Sequence, residues 1–340
     1  MKRKTKKIIT LLAELLFLAL LIFLFLRILD FEEFKKNISI IKPSSIAVIF
    51  MLQAAVYILD SLRWLILLKQ AGIKRPFLDI LRARLSGFAV SYITPSLSFG
   101  GEPVRASLLK ENGTPYNRLF ATVTLDKYIE LFSKFPVLVV GISFLIFLFD
   151  PSLSLIIVSV VVIVFLIGLF LFLLIKLFYD KQFINHFFKK LIRPFARLSP
   201  RTAVKFYSAV KDFEKEVSTI IRDKRYFYLA TSIGVIVSFI EVLQSYYILS
   251  LLYSANLVKA FIIFSSTIFS AIFTLIPASL GGMESVNLFI FSLLGLGGGN
   301  GLIYTIVLRI GHLSFVAIGL INLLISRMIL KRKSVKDVEA

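Results

Sequence analysis

Long unbroken apolar runs dominate this chain and predict transmembrane helices at 8–29, 45–68, 116–149, 153–177, 226–253 and 300–328. A run of about 20 apolar residues, rising 1.5 Å per residue, crosses the hydrocarbon of a bilayer. Two further apolar stretches, 83–112 and 258–297, are interrupted near their middles. The first breaks at Pro95-Ser-Leu-Ser-Phe-Gly100-Gly101-Glu102 and the second at Pro277-Ala-Ser-Leu-Gly281-Gly282-Met-Glu284, with Pro, Gly and Glu recurring 182 positions apart. Proline removes a backbone donor and glycine leaves the backbone free to turn, so each pair ends a helix. Irregular backbone at membrane depth persists only where it is buried in protein or lines a wet cavity. A repeated break that carries a carboxylate therefore marks a candidate site, with Pro95, Gly100, Gly101, Pro277, Gly281 and Gly282 as its hinges.

The predicted fold class is an all-α polytopic membrane protein, with about six full transmembrane helices and two interrupted or re-entrant hairpins. The run 116–149 is too long for one upright crossing, so it is expected to tilt, project or kink at Pro136. The arm 83–94 gives about 18 Å of helix and suits a half-crossing. The arm 258–276 gives nearly 30 Å and suits either re-entry or a full crossing.

Lys and Arg gather in the N-terminal arm, in 69–84, throughout 179–225 and in the tail from Arg327. The positive-inside rule makes these segments and both termini cytoplasmic, and the less basic loops at 30–43, 150–152 and 254–258 outward. The six spans then alternate consistently, and the two hairpins enter from opposite faces. A single integral membrane domain over 1–340 thus contains two inverted repeats, about 45–149 and 226–328, an architecture suited to alternating access. The basic start Met1 to Lys7 followed by Ile8 to Leu26 has the outline of a signal peptide. The apolar run is long enough to span, however, and no small-residue cleavage site precedes Arg27, so it reads as an uncleaved first helix.

Composition sharpens this picture. Hydrophobic residues make up 58% of 340, which leaves no stretch for a separate soluble domain. Cysteine is absent and only two histidines occur, which excludes disulfides, thiol catalysis and cysteine-bound metal; no metal or cofactor is expected. A net charge of +20 in a soluble protein suggests nucleic acid, but here the basic residues lie between the apolar runs and report topology instead. Segment 179–225, with twelve Lys/Arg against five Asp/Glu, reads either as a basic amphipathic helix pair on anionic inner-leaflet lipid or as a solvated connector. The run Gly295 to Gly301 lacks a following Lys-Ser/Thr and is a turn, not a nucleotide site.

Ionisable residues inside the apolar stretches are Glu14, Asp60, Arg63, Glu102, Arg105, Asp126, Lys127, Glu130, Lys134, Glu241, Glu284, Arg309 and His312. Each costs roughly 2.5–3.5 kcal/mol at a helix centre unless it is paired or hydrated. Lys127 follows Glu102 by 25 residues and Arg309 follows Glu284 by the same interval, so each half supplies a carboxylate at a break and a cation on the next span. Glu102 and Glu284 either line a binding site or cap the new helix. Glu102 and Arg105 also stand three apart and can pair with each other. Asp126 and Glu130 share a helix face near Lys127 and Lys134, forming either a structural ion network or a headgroup or proton site. Arg63 beside Trp64, like Glu14, reads as an interfacial anchor or interhelical tie, and His312 as a packed residue. No Pro-Ser-Gly-His element follows Lys69 to Pro76, and no metalloprotease or serine-hydrolase motif occurs, so enzyme chemistry has no carrier.

The elements Arg82-Ala-Arg-Leu-Ser-Gly-Phe88, Thr94-Pro95, Gly100-Gly101-Glu102-Pro-Val-Arg105, Asp126 and Tyr304 with Arg309 together resemble the lysylphosphatidylglycerol synthase transmembrane region, or flippase-like domain. The resemblance spans most of 8–328, and Gly-Gly-Glu-x-x-Arg is its most specific part. It implies a lipid-translocating domain that carries an aminoacylated phospholipid between leaflets of the cell membrane. The chain ends at Ala340 without the synthase's soluble acyltransferase-like domain, so lysine attachment is not expected. Other anionic or polyprenyl-linked lipids fit the same architecture. The resulting expectation is a flippase in which Arg84, Arg105, Lys127 and Arg309 bind phosphate. Glu102, Asp126, Glu130 and Glu284 would bind a cationic headgroup or a coupling proton. The alternative is an intramembrane lipid-modifying enzyme or an accessory subunit of one. With no ATP motif, energy must come from gradients or mass action.

Overall fold

The computed structural model describes residues 41–94, 100–110, 113–148, 200–253, 256–273 and 279–339, with five further helical positions between 157 and 168. The expected span 8–29, most of 153–177, and Pro95 and Pro277 lie outside the described residues. Among the described residues these helices follow in order: α1 Pro43–Gln70, α2 Phe77–Ile93, α3 Glu102–Leu108, α4 Tyr116–Leu148, α5 Pro200–Ile221, α6 Lys224–Leu252, α7 Leu257–Phe273, α8 Gly282–Leu293 and α9 Gly298–Glu339. Among the described residues there is no strand, and α1, α4, α6 and the Gly298–Ser326 part of α9 are long and apolar enough to cross a membrane. The protein is an all-α polytopic membrane protein.

Local chemistry sets the helix ends. Pro43 opens α1, where its missing N–H costs nothing and its fixed φ suits a helix. At the other end Ala71 N–H donates to Leu67 O at 3.0 Å and Ile73 N–H to Leu68 O at 2.9 Å, with Gly72 at φ 72° between them. That closure satisfies carbonyls which the end of the helix would leave free. α2 starts directly after this turn, at Phe77, six residues before the expected boundary. The polar positions Asp79 and Arg82 sit on its exposed side. Its 17 residues match the 17 described for α7. α4 runs helically through Pro136, and α9 continues past the expected end at 328 for a total of 42 residues.

The packing has a regular pattern. α1 packs on α6, α2 on α9, and α7 on α4; α3 lies against α4, and α8 against α9. Exchanging α1–α4 with α6–α9 in order maps this set of contacts onto itself: α2–α9 onto α4–α7, α3–α4 onto α8–α9, and α1–α6 onto its own reverse. The two long crossings are built alike: Ser86 Oγ on α2 donates to Gly319 O on α9 at 3.1 Å, and Ser265 Oγ on α7 donates to Val137 O on α4 at 3.0 Å. The two acceptor positions differ by the same 182 residues as the two breaks. Close approach is possible at the first because a Cβ on Gly319 would stand 2.2 Å from Leu85 O. Such small-residue contacts are how helices associate in lipid, where burial offers no hydrophobic gain.

Exposed large apolar side chains, such as Ile236, Phe239 and Leu243 on α6 and Leu313, Ile321 and Leu324 on α9, form outward surfaces suited to acyl chains. α5 behaves differently. Its apolar residues Val217, Ile220 and Ile221 join the core cluster around Leu67, Leu68 and Leu119, and Phe213 packs at 5.9 Å from the Phe120 ring. Arg118 on α4 donates to Glu216 Oε2 at 2.9 Å. The apolar face of this part of the basic segment is thus covered by protein, while Lys211, Lys215 and Arg222 stay exposed.

Candidate functional site

One guanidinium ties the second chain interruption to α2. Arg309, on α9, donates from Nε to Glu284 Oε1 at 2.6 Å and from Nη2 to Ser279 O at 3.3 Å, both beside the second break. Its Nη1 reaches Tyr92 OH at 3.0 Å, near the end of α2 and three residues before Pro95. Glu284 also accepts the Gly281 N–H at its Oε2, 2.8 Å away, so the capping role and the ion pair coexist in one carboxylate. Gly281 sits at φ 80° and Ser279 at φ 50°, the left-handed region that lets the chain reverse into α8. Both charged side chains are about nine-tenths buried, at 11% and 13% exposed. His312 packs one turn further along against the rings of Phe88 and Tyr92, at 6.0 and 6.2 Å.

The first break closes on α2 as well. Gly101 N–H donates to Ser91 Oγ at 2.8 Å, and a Cβ on Gly101 would fall 1.9 Å from Gly87 O. A Cβ on Gly87 would strike the Arg105 stem at 2.4 Å. The glycine pair therefore seats α3 on α2 and opens the path along which Arg105 reaches inward.

That path leads to a buried charged knot. Asp126, with no exposed surface, accepts Arg63 Nε at Oδ1 at 2.7 Å, and accepts Arg84 Nη1 and Arg105 Nη2 at Oδ2, each at 2.6 Å. Arg84 also reaches Asp60 at 2.5 Å and Glu130 at 3.0 Å, while Arg63 pairs with Asp60 at 2.7 Å. Lys127 donates to Glu130 at 3.0 Å. On the α4–α6 side Lys134 donates to Glu241 at 2.8 Å. The Arg105 guanidinium lies over the Trp64 ring at 4.1 Å, and Trp64 Nε1–H donates to Thr122 Oγ1 at 3.1 Å. Planar forks that share carboxylates across four helices suit arginine, because several directed bonds offset the removal of each charge from water.

The structure therefore gathers Arg84, Arg105, Asp126, Lys127 and Glu130 in one knot and places Glu284 with Arg309 between the second break and α2. Arg84 and Tyr92 are eight residues apart on α2, about 12 Å along the axis. One expected pairing changes: Arg105 reaches Asp126 across helices instead of folding back on Glu102, whose buried Oε2 has no hydrogen-bond partner. Of the two alternatives for Arg63, the interhelical tie is the one found: it is wholly buried and joins α1 to Asp126 on α4. Asp60, Lys134 and Glu241 also belong to the charged interior. The available signal was the three-residue spacing of Asp60 and Arg63 inside an apolar span, the spacing also seen for Glu102 with Arg105 and Lys127 with Glu130. Among the described residues no group of His, Cys, Asp and Glu is arranged to hold a metal ion.

Comparison with known proteins agrees with this architecture. The profile of the family described as the lysylphosphatidylglycerol synthase TM region matches residues 11–319, and the chain belongs to that family. A UPF0104 membrane protein of Methanothermobacter thermautotrophicus is 28% identical over 330 residues, covering 93% of this chain and 92% of its own. A second from the same organism is 25% identical over 261 residues, 74% of this chain and 76% of its own. A UPF0104 membrane protein of Methanocaldococcus jannaschii is 32% identical over 102 residues, 29% of this chain and 30% of its own. No solved structure matches.

Proposed function

We propose that this member of the lysylphosphatidylglycerol synthase transmembrane family is a lipid transporter and not an enzyme. It moves an anionic or aminoacylated phospholipid, or a polyprenyl-linked lipid, between leaflets of the cell membrane. The observation that carries the reading is the Arg309 junction, where one guanidinium joins the second break, through Glu284 and Ser279, to the end of α2 through Tyr92. A phosphate that displaces one of these partners changes how the two hairpins are held together, which couples headgroup binding to movement. The exchange-related helix contacts support two inverted units, about 45–149 and 226–328, able to open toward opposite faces. Arg84, Arg105 and Lys127 are each held by carboxylates, so a lipid phosphate reaches them by exchange with a carboxylate and not by filling an empty site.

Native mass spectrometry of the detergent-solubilised protein tests the reading. Wild type should retain a phosphate-bearing lipid that Arg309→Ala loses. Equal lipid retention by the variant would remove Arg309 from the binding role.

The same reading places both termini and 179–225 on the cytoplasmic side, with the exposed basic residues Lys211, Lys215 and Arg222 near anionic headgroups. The chain contains no cysteine, so single cysteines at Lys205 and Val335 report cleanly. In intact cells neither should react with a membrane-impermeant thiol reagent, and both should react after permeabilisation. Labelling of either in intact cells would reverse the orientation.

A further inference from the structure

The two halves share one register. Advancing by the 182 positions that separate the breaks carries α1 onto α6, α2 onto α7, α3 onto α8 and α4 onto the first part of α9. The charged knot has no charged counterpart. Arg63, Arg84, Arg105 and Asp126 correspond to Ser245, Ser266, Asn287 and Leu308, and Asp60 to Val242. What stands there is a neutral polar cluster. Ser245 Oγ and Tyr304 OH are 2.7 Å apart, and Asn287 Nδ2–H donates to Thr305 Oγ1 at 2.8 Å. The hydroxyls of Ser266 and Thr267 donate to Asn287 Oδ1 at 3.4 and 3.5 Å. Ser245, Thr267, Asn287, Tyr304 and Thr305 are all buried.

The two hairpins are therefore fastened by different chemistry. In the first, Arg84 ties α2 to Asp60 on α1 and to Asp126 and Glu130 on α4, and Arg105 ties α3 to Asp126 while lying over Trp64 of α1. Withdrawing either helix strands buried ions in an interior that cannot hydrate them. In the second, α7 and α8 carry two charged side chains between them, Lys259 in the first turn of α7 and Glu284 in the first turn of α8. Hydroxyl and amide bonds such as those of Asn287 exchange with water or with one another and leave no charge behind. The pair of Glu284 with Arg309 joins α8 to α9, and the Gly281 N–H stays with Glu284 when the cation leaves.

We infer that the second hairpin, α7 with α8, is the part that moves during transport, and that the first, α2 with α3, is pinned by the knot to α1 and α4 as the frame against which it moves. The assignment rests on the transporter reading above and names its moving part. A lipid phosphate that takes Arg309 from Glu284 releases the ionic tie of α8, and the neutral cluster then lets α8 part from α9. The inverted repeats share a fold without sharing the motion.

Hydrogen exchange followed by mass spectrometry on the whole protein in detergent, with and without short-chain phosphatidylglycerol, tests the assignment. Amides of 282–293 should exchange about tenfold faster than those of 102–108, because local opening there strands no charge. Lipid should change exchange across 257–293 and leave 77–108 as it was. A second measurement holds the moving part still. The chain has no cysteine, so Asn287→Cys with Thr305→Cys, at two side chains in contact, can be bridged by oxidation. The bridged protein should keep its lipid in native mass spectrometry and lose transport in liposomes, and reduction should restore it. Transport unchanged by the bridge, or a lipid response in 77–108 as large as in 257–293, would overturn the assignment while lipid binding stands. If wild type binds no lipid at all, the transporter reading falls with it. Should the double variant fail to fold or to bridge, hydrogen exchange in wild type alone decides.

Discussion

Asp126→Ala should not yield a stable, monodisperse protein. The carboxylate is wholly buried and receives three guanidinium groups within 2.7 Å, from α1, α2 and α3. Its loss strands those donors and adds a net positive charge to an interior that cannot hydrate it. Removing one partner of a buried pair costs about 3–5 kcal/mol, a large share of the stability of a folded domain. Asp126→Asn keeps the shape but not the charge and should fail nearly as badly. The combination Asp126→Ala with Arg105→Leu removes one cation together with the anion and should recover part of the loss. Thermal unfolding in detergent, followed by size-exclusion chromatography, checks all three. An Asp126→Ala protein as stable as wild type would mean that the knot does not hold α1 to α4 together.

Substitutions at Arg309 should act on transport more than on folding, because this junction is smaller and less deeply buried than the knot. Arg309→Lys keeps a charge near Glu284 but loses the planar fork that also serves Tyr92 and Ser279 O. It should fold and transport several-fold more slowly. Arg309→Ala leaves Glu284 with its Gly281 N–H cap but without its cation, and transport should fall to background. The exchanged pair Glu284→Arg with Arg309→Glu should restore yield without restoring transport, since a carboxylate at 309 cannot grip phosphate. Restored transport in that double variant would reduce the pair to a helix tie.

Much of this arrangement was legible from residue order. The turn at Gly281 ahead of α8 and the Glu284–Arg309 pairing follow from helix-breaking residues and from charges that apolar spans do not tolerate alone. The knot was only half legible. Asp126 and Glu130 announced themselves by sharing one face of α4, but spacing along a helix says nothing about which neighbouring helix supplies the partner. Arg63 next to Trp64 has the composition of an interfacial anchor, and only the approach of α2 and α3 reveals it at the centre. Arg105 was misdirected for the same reason: the three-residue rule favours Glu102, but the space left by Gly87 and Gly101 leads the side chain to Asp126. The start of α2 was placed late because the apolar stretch begins only near 83, although a helix that projects beyond the bilayer accepts Asp79 and Arg82 on its outer face.

The most direct test of the account is lipid movement itself. Purified protein in liposomes carrying a headgroup-labelled phospholipid should transfer label between leaflets, as read by a membrane-impermeant quencher, while mass spectrometry finds the lipid's mass unchanged. Arg309→Ala liposomes should match protein-free ones. An altered lipid mass, or wild-type transfer no faster than in empty liposomes across these lipid classes, would contradict the transporter reading.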